Sequence, residues 1–298
     1  MQSSSTFANV GEQPSMGRDL KNLPGTLPLL LRLVYTSVKK RKAKAADFRT
    51  ESRRIAALRA DRKELKRYRT VCSIEESTNL PLVFPQIMSS RLMYDLLMSP
   101  AMPFGIAGLI HLRHEIAAKE DLPADAEYHF ECQTHALRET PRGYEIDVLT
   151  KAYRAGREVW QSKAVFLYRC RTVRKSEKKS TEQSPEGEYQ KIFAESLAAN
   201  LGLRYAAVSK DYNPIHLSKW SARLFGFERQ IAHGLWLVAR AADVYGKNKP
   251  LHELTIQFRA PIHLPNKINF TQCIDHEASW FRIQAGRGNQ VFASGQFK

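Results

Sequence analysis

The chain has 298 residues, room for one large or two ordinary domains, and a formal net charge of +16. The excess gathers between Arg18 and Arg69, in Lys39–Lys42, Arg53–Arg54 and Lys63–Arg69. That segment holds no zinc spacing, aromatic RNA-binding motif or recognition-helix signature, so nucleic acid is not the expected partner.

Basic surface also suits phosphate groups, an acidic protein or an anionic membrane. The four cysteines, Cys72, Cys132, Cys170 and Cys273, are scattered without paired spacing, as suits reduced thiols in a cytoplasmic protein better than a disulfide framework or metal site. The first twenty or so residues, with Gln, Ser, Gly and Pro, are expected to be weakly ordered. Leu27 to Tyr35 is apolar but interrupted by Pro28 and Arg32, too short to span a bilayer, and its basic run follows where a signal peptide's would precede. It predicts an amphipathic surface helix that docks on the protein or touches anionic lipid. Residues 1–66 are accordingly read as a basic, partly disordered N-terminal extension.

From Tyr68 onward the chain echoes itself. Tyr68-Arg-Thr-Val-Cys-Ser73 parallels Tyr205-Ala-Ala-Val-Ser-Lys210, Gln86-Ile-Met-Ser-Ser-Arg-Leu-Met93 parallels Gln230-Ile-Ala-His-Gly-Leu-Trp-Leu237, and Leu122-Pro123 parallels Leu264-Pro265. Strand-like runs follow each: Glu127–Thr134, Tyr144–Tyr153 and Val159–Arg169 in one half, Asn266–Ile274, Trp280–Ala285 and Val291–Phe297 in the other. Shared order argues for two copies of one unit. The first copy, 67–174, has an apolar helix, Leu92–Met98, and a Met- and Pro-rich stretch, Pro100–Gly108. These can line a tunnel or pack as ordinary core. A polar, charged linker, 175–190, leads to the second copy, 191–298, which opens with a short helix expected at Ile192–Leu201.

Tyr205 to Gly234 holds the densest set of chemical groups. In Asp211-Tyr-Asn-Pro-Ile-His216, Pro214 lacks an N–H and pushes Asn213 out of the α region, so the segment is an irregular loop. Such a loop lets a carboxylate and an imidazole five residues apart converge on one water, a general acid/base arrangement. Taken singly, Asn-Pro-x-His also fits a turn with a capping Asn. Gly234 opens an apolar helix through Tyr245 whose first N–H groups can face an oxygen that gains negative charge. A strand is expected at Phe258–Pro265.

The run Tyr205-x-x-Val-Ser-Lys-Asp-x-Asn-Pro-Ile-His216, with Gly226-Phe227 and Ile231-Ala-His-Gly234, resembles the signature of the MaoC-like (R)-specific enoyl-CoA hydratases and 3-hydroxyacyl-thioester dehydratases. The resemblance is specific from about Leu203 to the C-terminus. It implies an α+β hotdog fold, a long central helix wrapped by an antiparallel sheet, and with the internal repeat a double hotdog. It implies that Asp211 and His216 activate water, that the Gly234 N–H holds the thioester oxygen, and that Asn213 shapes the site; Tyr212 and His233 are placed with Asn213 as substrate-binding. It implies an acyl-CoA or acyl-carrier-protein thioester as partner and no cofactor or metal. A homodimer and peripheral contact with anionic membrane through the extension are compatible with it. The family usually has Gly at Lys210. The first copy lacks the Asp/His pair and has Ser89-Ser90, a good helix N-cap, where the second has His-Gly. It is thus read as degenerate, giving room for a longer acyl chain. The competing reading is a non-catalytic thioester- or carrier-binding module.

Overall fold

The computed structural model describes residues 16–38, 48–106, 109–173, 187–274 and 279–298. The Lys39–Lys42 run and most of the expected linker lie outside them.

Alternating strands build one eleven-stranded sheet, ordered β1-β2-β4-β5-β6-β3-β8-β11-β10-β9-β7. In the first half these are β1 (Met16–Leu20), β2 (Glu51–Arg59), β3 (Ile110–Ala118), β4 (Glu127–Thr140), β5 (Gly143–Arg154) and β6 (Arg157–Arg169). In the second they are β7 (Gln190–Leu197), β8 (Glu253–Phe258), β9 (Asn266–Ile274), β10 (Ser279–Ala285) and β11 (Val291–Phe297). Leaving β1 aside, the order mirrors itself about the antiparallel β3–β8 seam, where Arg113 faces Gln257 and Ala117 faces Glu253. The protein is therefore a double hotdog whose halves share one sheet, and the seam pairs what would otherwise be two exposed edges.

Each half wraps a helix. These are α3 (Phe84–Leu97) and α6 (Gly234–Gly246), flanked by α2 (Arg62–Cys72) and α4 (Leu201–Ser209). The echoed tyrosines, Tyr68 and Tyr205, are buried with ring centroids 6.3 Å apart. The equally buried Trp160 and Trp236 donate their indole N–H groups to the carbonyls of Leu82 and Val71. One apolar core runs through both halves. A buried aromatic of this kind contributes several kcal/mol, about 3–5 on truncation to alanine.

Several elements differ from expectation. Residues 16–20 are not weakly ordered but form β1, parallel to β2. The boundary at 66 cuts α2, and β2 is built into the first hotdog against β4, so much of the supposed basic arm is structural. Its arginines are paired: Arg53 with Asp95 and Glu51, Arg54 with Glu131 and Asp19. The helix expected at Ile192–Leu201 is mostly strand β7, because pairing with β9 outweighs the helix preference of its Ala, Glu and Leu residues. The strand expected at Phe258–Pro265 instead ends at Phe258, where Pro261 and Pro265 could not have donated to a ladder. Ser89 and Ser90 do not cap α3. It starts earlier, with Pro at its N-terminal turn, and Ser90 Oγ donates across the halves to the Ser209 carbonyl.

The apolar run near the N-terminus is α1 (Thr26–Val38), docked on α3. Among the described residues no helix is long and apolar enough to cross a membrane.

Candidate active site

Helix α4 ends at Ser209, and Lys210 caps it in the left-handed region, φ 62°, donating its N–H to the Ala206 carbonyl. Glycine takes this conformation at no steric cost, which accounts for the glycine preference noted at this position. Here lysine holds it, with Nζ 3.0 Å from the Ala207 carbonyl and 3.0 Å from Glu64.

The cap turns Asp211 inward. One oxygen of its carboxylate accepts from the Asn213 N–H at 3.1 Å, and its own N–H donates to Ser209 Oγ. Asn213 Oδ1 accepts from the Ile215 N–H, capping a short 3-10 helix, Pro214–His216. The capping role open from the sequence is thus what Asn213 performs, while it also lines the cavity. A turn later the chain enters α5 (Lys219–Arg223) through a Ser218/Ser221 capping box.

His216 is anchored twice. Its Nδ1 lies 2.8 Å from the Ile231 carbonyl, and the Ile231 N–H donates to the Ile215 carbonyl at 3.1 Å. Donation from Nδ1 leaves Nε2 as a proton acceptor. Burial lowers the His216 pKa, partly offset by the charge of Asp211 and the bond to Ile231. His233 caps α6 without a side-chain bond to the helix. Its Nε2 lies 3.0 Å from the Asp211 carbonyl, and its ring stacks on His216. Burial first, then the neighbouring His216, hold His233 well below the ordinary imidazole range. Both imidazoles are neutral at pH 7.

Gly234 is the first residue of α6, and a Cβ there would come within 3.1 Å of both His111 Nδ1 and Phe258 Cζ. Only glycine leaves the helix N-terminus bare at this point. Asp211, Tyr212, Asn213, His216, His233 and Gly234, the six residues named from sequence, line one cavity of about 600 Å³.

Of the two roles open to Leu92–Met98 and Pro100–Gly108, lining a tunnel is met by Met93, Tyr94, Leu97, Met98 and Ile106, all on this cavity, whereas the polar contacts made from the first half were not foreseen. Tyr94 on α3 lines it, and burial, the charge of Asp211 and a hydrogen bond to Asp211 push its phenol well above the ordinary value. His111 and His114 lie three apart on β3, which in a regular strand puts them on opposite faces. A register shift between His111 and Arg113 turns them together, with ring nitrogens 3.2 Å apart. Burial drives His111 down to about 4 and His114 well below its usual range. Gly202 was also missed: a Cβ there would overlap the His216 carbonyl oxygen. The His-x-x-His pair was visible in the sequence, but the bulge that gives it meaning was not.

The pseudo-symmetric position in the first half is occupied differently. The buried Arg69 donates to the carbonyls of Glu75, Ser77 and Asn79, organising backbone where the second half carries its Asp and His.

Asp211, His216 and His233 offer ligand atoms within 4.8 Å of one another, the geometry a metal ion could use. Two of their nitrogens, His216 Nδ1 and His233 Nε2, are already directed at backbone carbonyls. The set suits a bound water between a carboxylate and a neutral imidazole better than a cation.

Residues 177–293 match the family described as MaoC like domain. The chain is 26% identical over 217 residues to 3-hydroxyacyl-thioester dehydratase X of Mycobacterium tuberculosis, covering 71% of this chain and 76% of that one. It is 31% identical over 67 residues to the mitochondrial 3-hydroxyacyl-[acyl-carrier-protein] dehydratase of Arabidopsis thaliana, covering 22% of this chain and 40% of the relative. In fold it is similar to HtdX of Mycobacterium tuberculosis, with a TM-score of 0.72 at 20% identity over 84% of this chain and 99% of that chain. It is also similar to a MaoC-like dehydratase of Phytophthora capsici, with a TM-score of 0.69 at 14% identity over 85% and 96%.

Proposed function

We propose that this chain, whose residues 177–293 match the MaoC like domain, interconverts trans-2-enoyl thioesters and (R)-3-hydroxyacyl thioesters by reversible syn addition of water. The observation that carries the reading is the facing of Asp211 and a neutral His216 across one cavity, beside the open N-terminus of α6 at Gly234.

In hydration, water sits between the Asp211 carboxylate and His216 Nε2. As its oxygen bonds to C3, one of its protons passes to this pair, and a proton is delivered to C2 on the same face. Electrons from the double bond move onto the thioester oxygen, where the Gly234 N–H and the helix dipole hold the enolate-like charge. Such a donor typically contributes about 2.7–4 kcal/mol to lowering the barrier. Collapse of the enolate gives the 3-hydroxyacyl thioester, and dehydration runs the steps backward. Tyr94 holds the Asp211 carboxylate from the other half. His111 walls the space beside Gly234. The reaction asks for no oxidation or reduction, and the reading assigns no cofactor. Coenzyme A or an acyl carrier protein bears the thioester.

Purified protein given the (R)- or (S)-3-hydroxyacyl-CoA tests this reading directly. Appearance of the conjugated enoyl absorbance from the (R) isomer alone is expected. Consumption of the (S) isomer, or of neither isomer on coenzyme A and on carrier protein, would overturn it.

A further inference from the structure

We infer that α1, which lies outside the residues carrying the family signature, is a wall of the acyl-chain site, and that Leu30 and Leu33 set the longest chain admitted. The inference rests on the thioester reading above.

Thr26, Leu29, Leu30 and Leu33 line the same cavity as Asp211 and His216. Their spacing, i, i+3, i+4 and i+7, puts them on one helical face. The opposite face carries Leu27, Leu31 and Tyr35, exposed at 68%, 64% and 60%. A helix that merely covered core would bury its apolar groups against packed atoms. Here the inner leucines border open space, and Met93, Leu97, Met98, Ile106 and Leu109 are among the other apolar residues that line it. The groups assigned to the reaction, at 210–216 and 233–234, share this cavity with those apolar side chains, the combination that a thioester with an acyl tail requires.

A charged latch ties the helix to α3 beside the buried Leu29. Arg32 reaches Asp95 at 2.5 Å and the Met98 carbonyl at 3.0 Å, and Arg53 grips the other Asp95 oxygen at 2.7 Å. Arg91 ties the approach by donating to the Pro24 carbonyl at 3.2 Å. The latch residue therefore sits next to Leu33 and opposite the α3 residues that complete the lining. Bulk at Leu30 or Leu33 enters the cavity, and release of Arg32 loosens the wall.

The test is the ratio of kcat/KM for a long to a short trans-2-enoyl-CoA, dodecenoyl against crotonyl, in wild type, Leu33→Trp, Leu30→Trp and Arg32→Gln. Filling an apolar site by a few methylene groups discriminates by about tenfold or more, so either tryptophan is expected to lower the ratio at least that much. Arg32→Gln is expected to shift the ratio through the KM of the long substrate. Equal losses at both lengths, or an unchanged ratio in folded variants, would overturn the inference. If wild type turned over neither substrate, the thioester reaction itself would be in error. Calorimetric binding of dodecanoyl-CoA to wild type and Leu33→Trp would then decide the wall separately: weaker binding by the variant supports it, and equal or absent binding ends it.

Discussion

The imidazoles of His216 and His233 stack with centroids 3.7 Å apart and planes inclined by 25°, and His216, after burial, makes His233 harder to protonate. Burial lowers His216 as well. A general base whose pKa sits below 6.5 remains neutral through the physiological range. In the hydration direction, the acid limb of kcat/KM is expected to have its inflection below pH 6.5. An acid limb with its inflection at 7 or above would show that His216 is not this base.

Gly202 decides where His216 stands. The Gly202→Ala methyl would overlap the His216 carbonyl oxygen, and the neighbour is backbone, which cannot swing away. This substitution is expected to cut kcat more than a buried alanine elsewhere on α4 would, and to lower stability by about 1–3 kcal/mol. Steady-state kinetics with a thermal melt checks both.

Lys210 holds a left-handed backbone that costs a non-glycine residue about 1–2 kcal/mol. Glycine pays about 0.5–1 kcal/mol in chain entropy, and the substitution gives up the contact with Glu64. Lys210→Gly should therefore raise stability slightly, by up to about 1 kcal/mol, with turnover kept. Denaturant midpoints measure it, and marked destabilisation would argue that the side chain, not the backbone, matters there.

His111, His114, His216 and His233 are all held below the ordinary imidazole pKa in the folded chain. Between pH 6.5 and about 4 the unfolded chain binds more protons, so stability is full above 6.5 and drains away as the pH falls. For His111, lowered to about 4, the loss amounts to up to about 3 kcal/mol across that window. Asp95 acts lower. Burial raises it, but hydrogen bonds from Arg53 and Arg32 bring it below the usual carboxylate range, so its contribution goes only beneath about pH 4. Melting curves from pH 7 to 4 should drop steeply for wild type and less so for His111→Phe; equal slopes would contradict this.

Much of this was legible in the sequence. The paired strand runs and echoed tyrosines disclosed the repeat, and Pro214 disclosed a loop that gathers Asp211 with His216. What stayed hidden depends on contacts between distant parts of the chain. Arg53 and Arg54 read as basic arm because their partners Asp95 and Glu131 are remote in sequence. His111 and His114 read as opposite faces because a bulge leaves no mark in one sequence. Tyr94 belongs to the half that lost its own catalytic pair, so its part in the surviving site shows only once the halves are joined.

The central claim is that Asp211 and His216 add and remove water at the double bond of an acyl thioester. The most direct measurement is the loss of enoyl absorbance on a trans-2-enoyl thioester by wild type, Asp211→Asn and His216→Ala, each checked for an unchanged circular dichroism spectrum. Turnover by wild type and a fall in kcat of about 10²–10⁴ in each variant is the predicted result. Wild-type turnover that survives both substitutions would contradict the account.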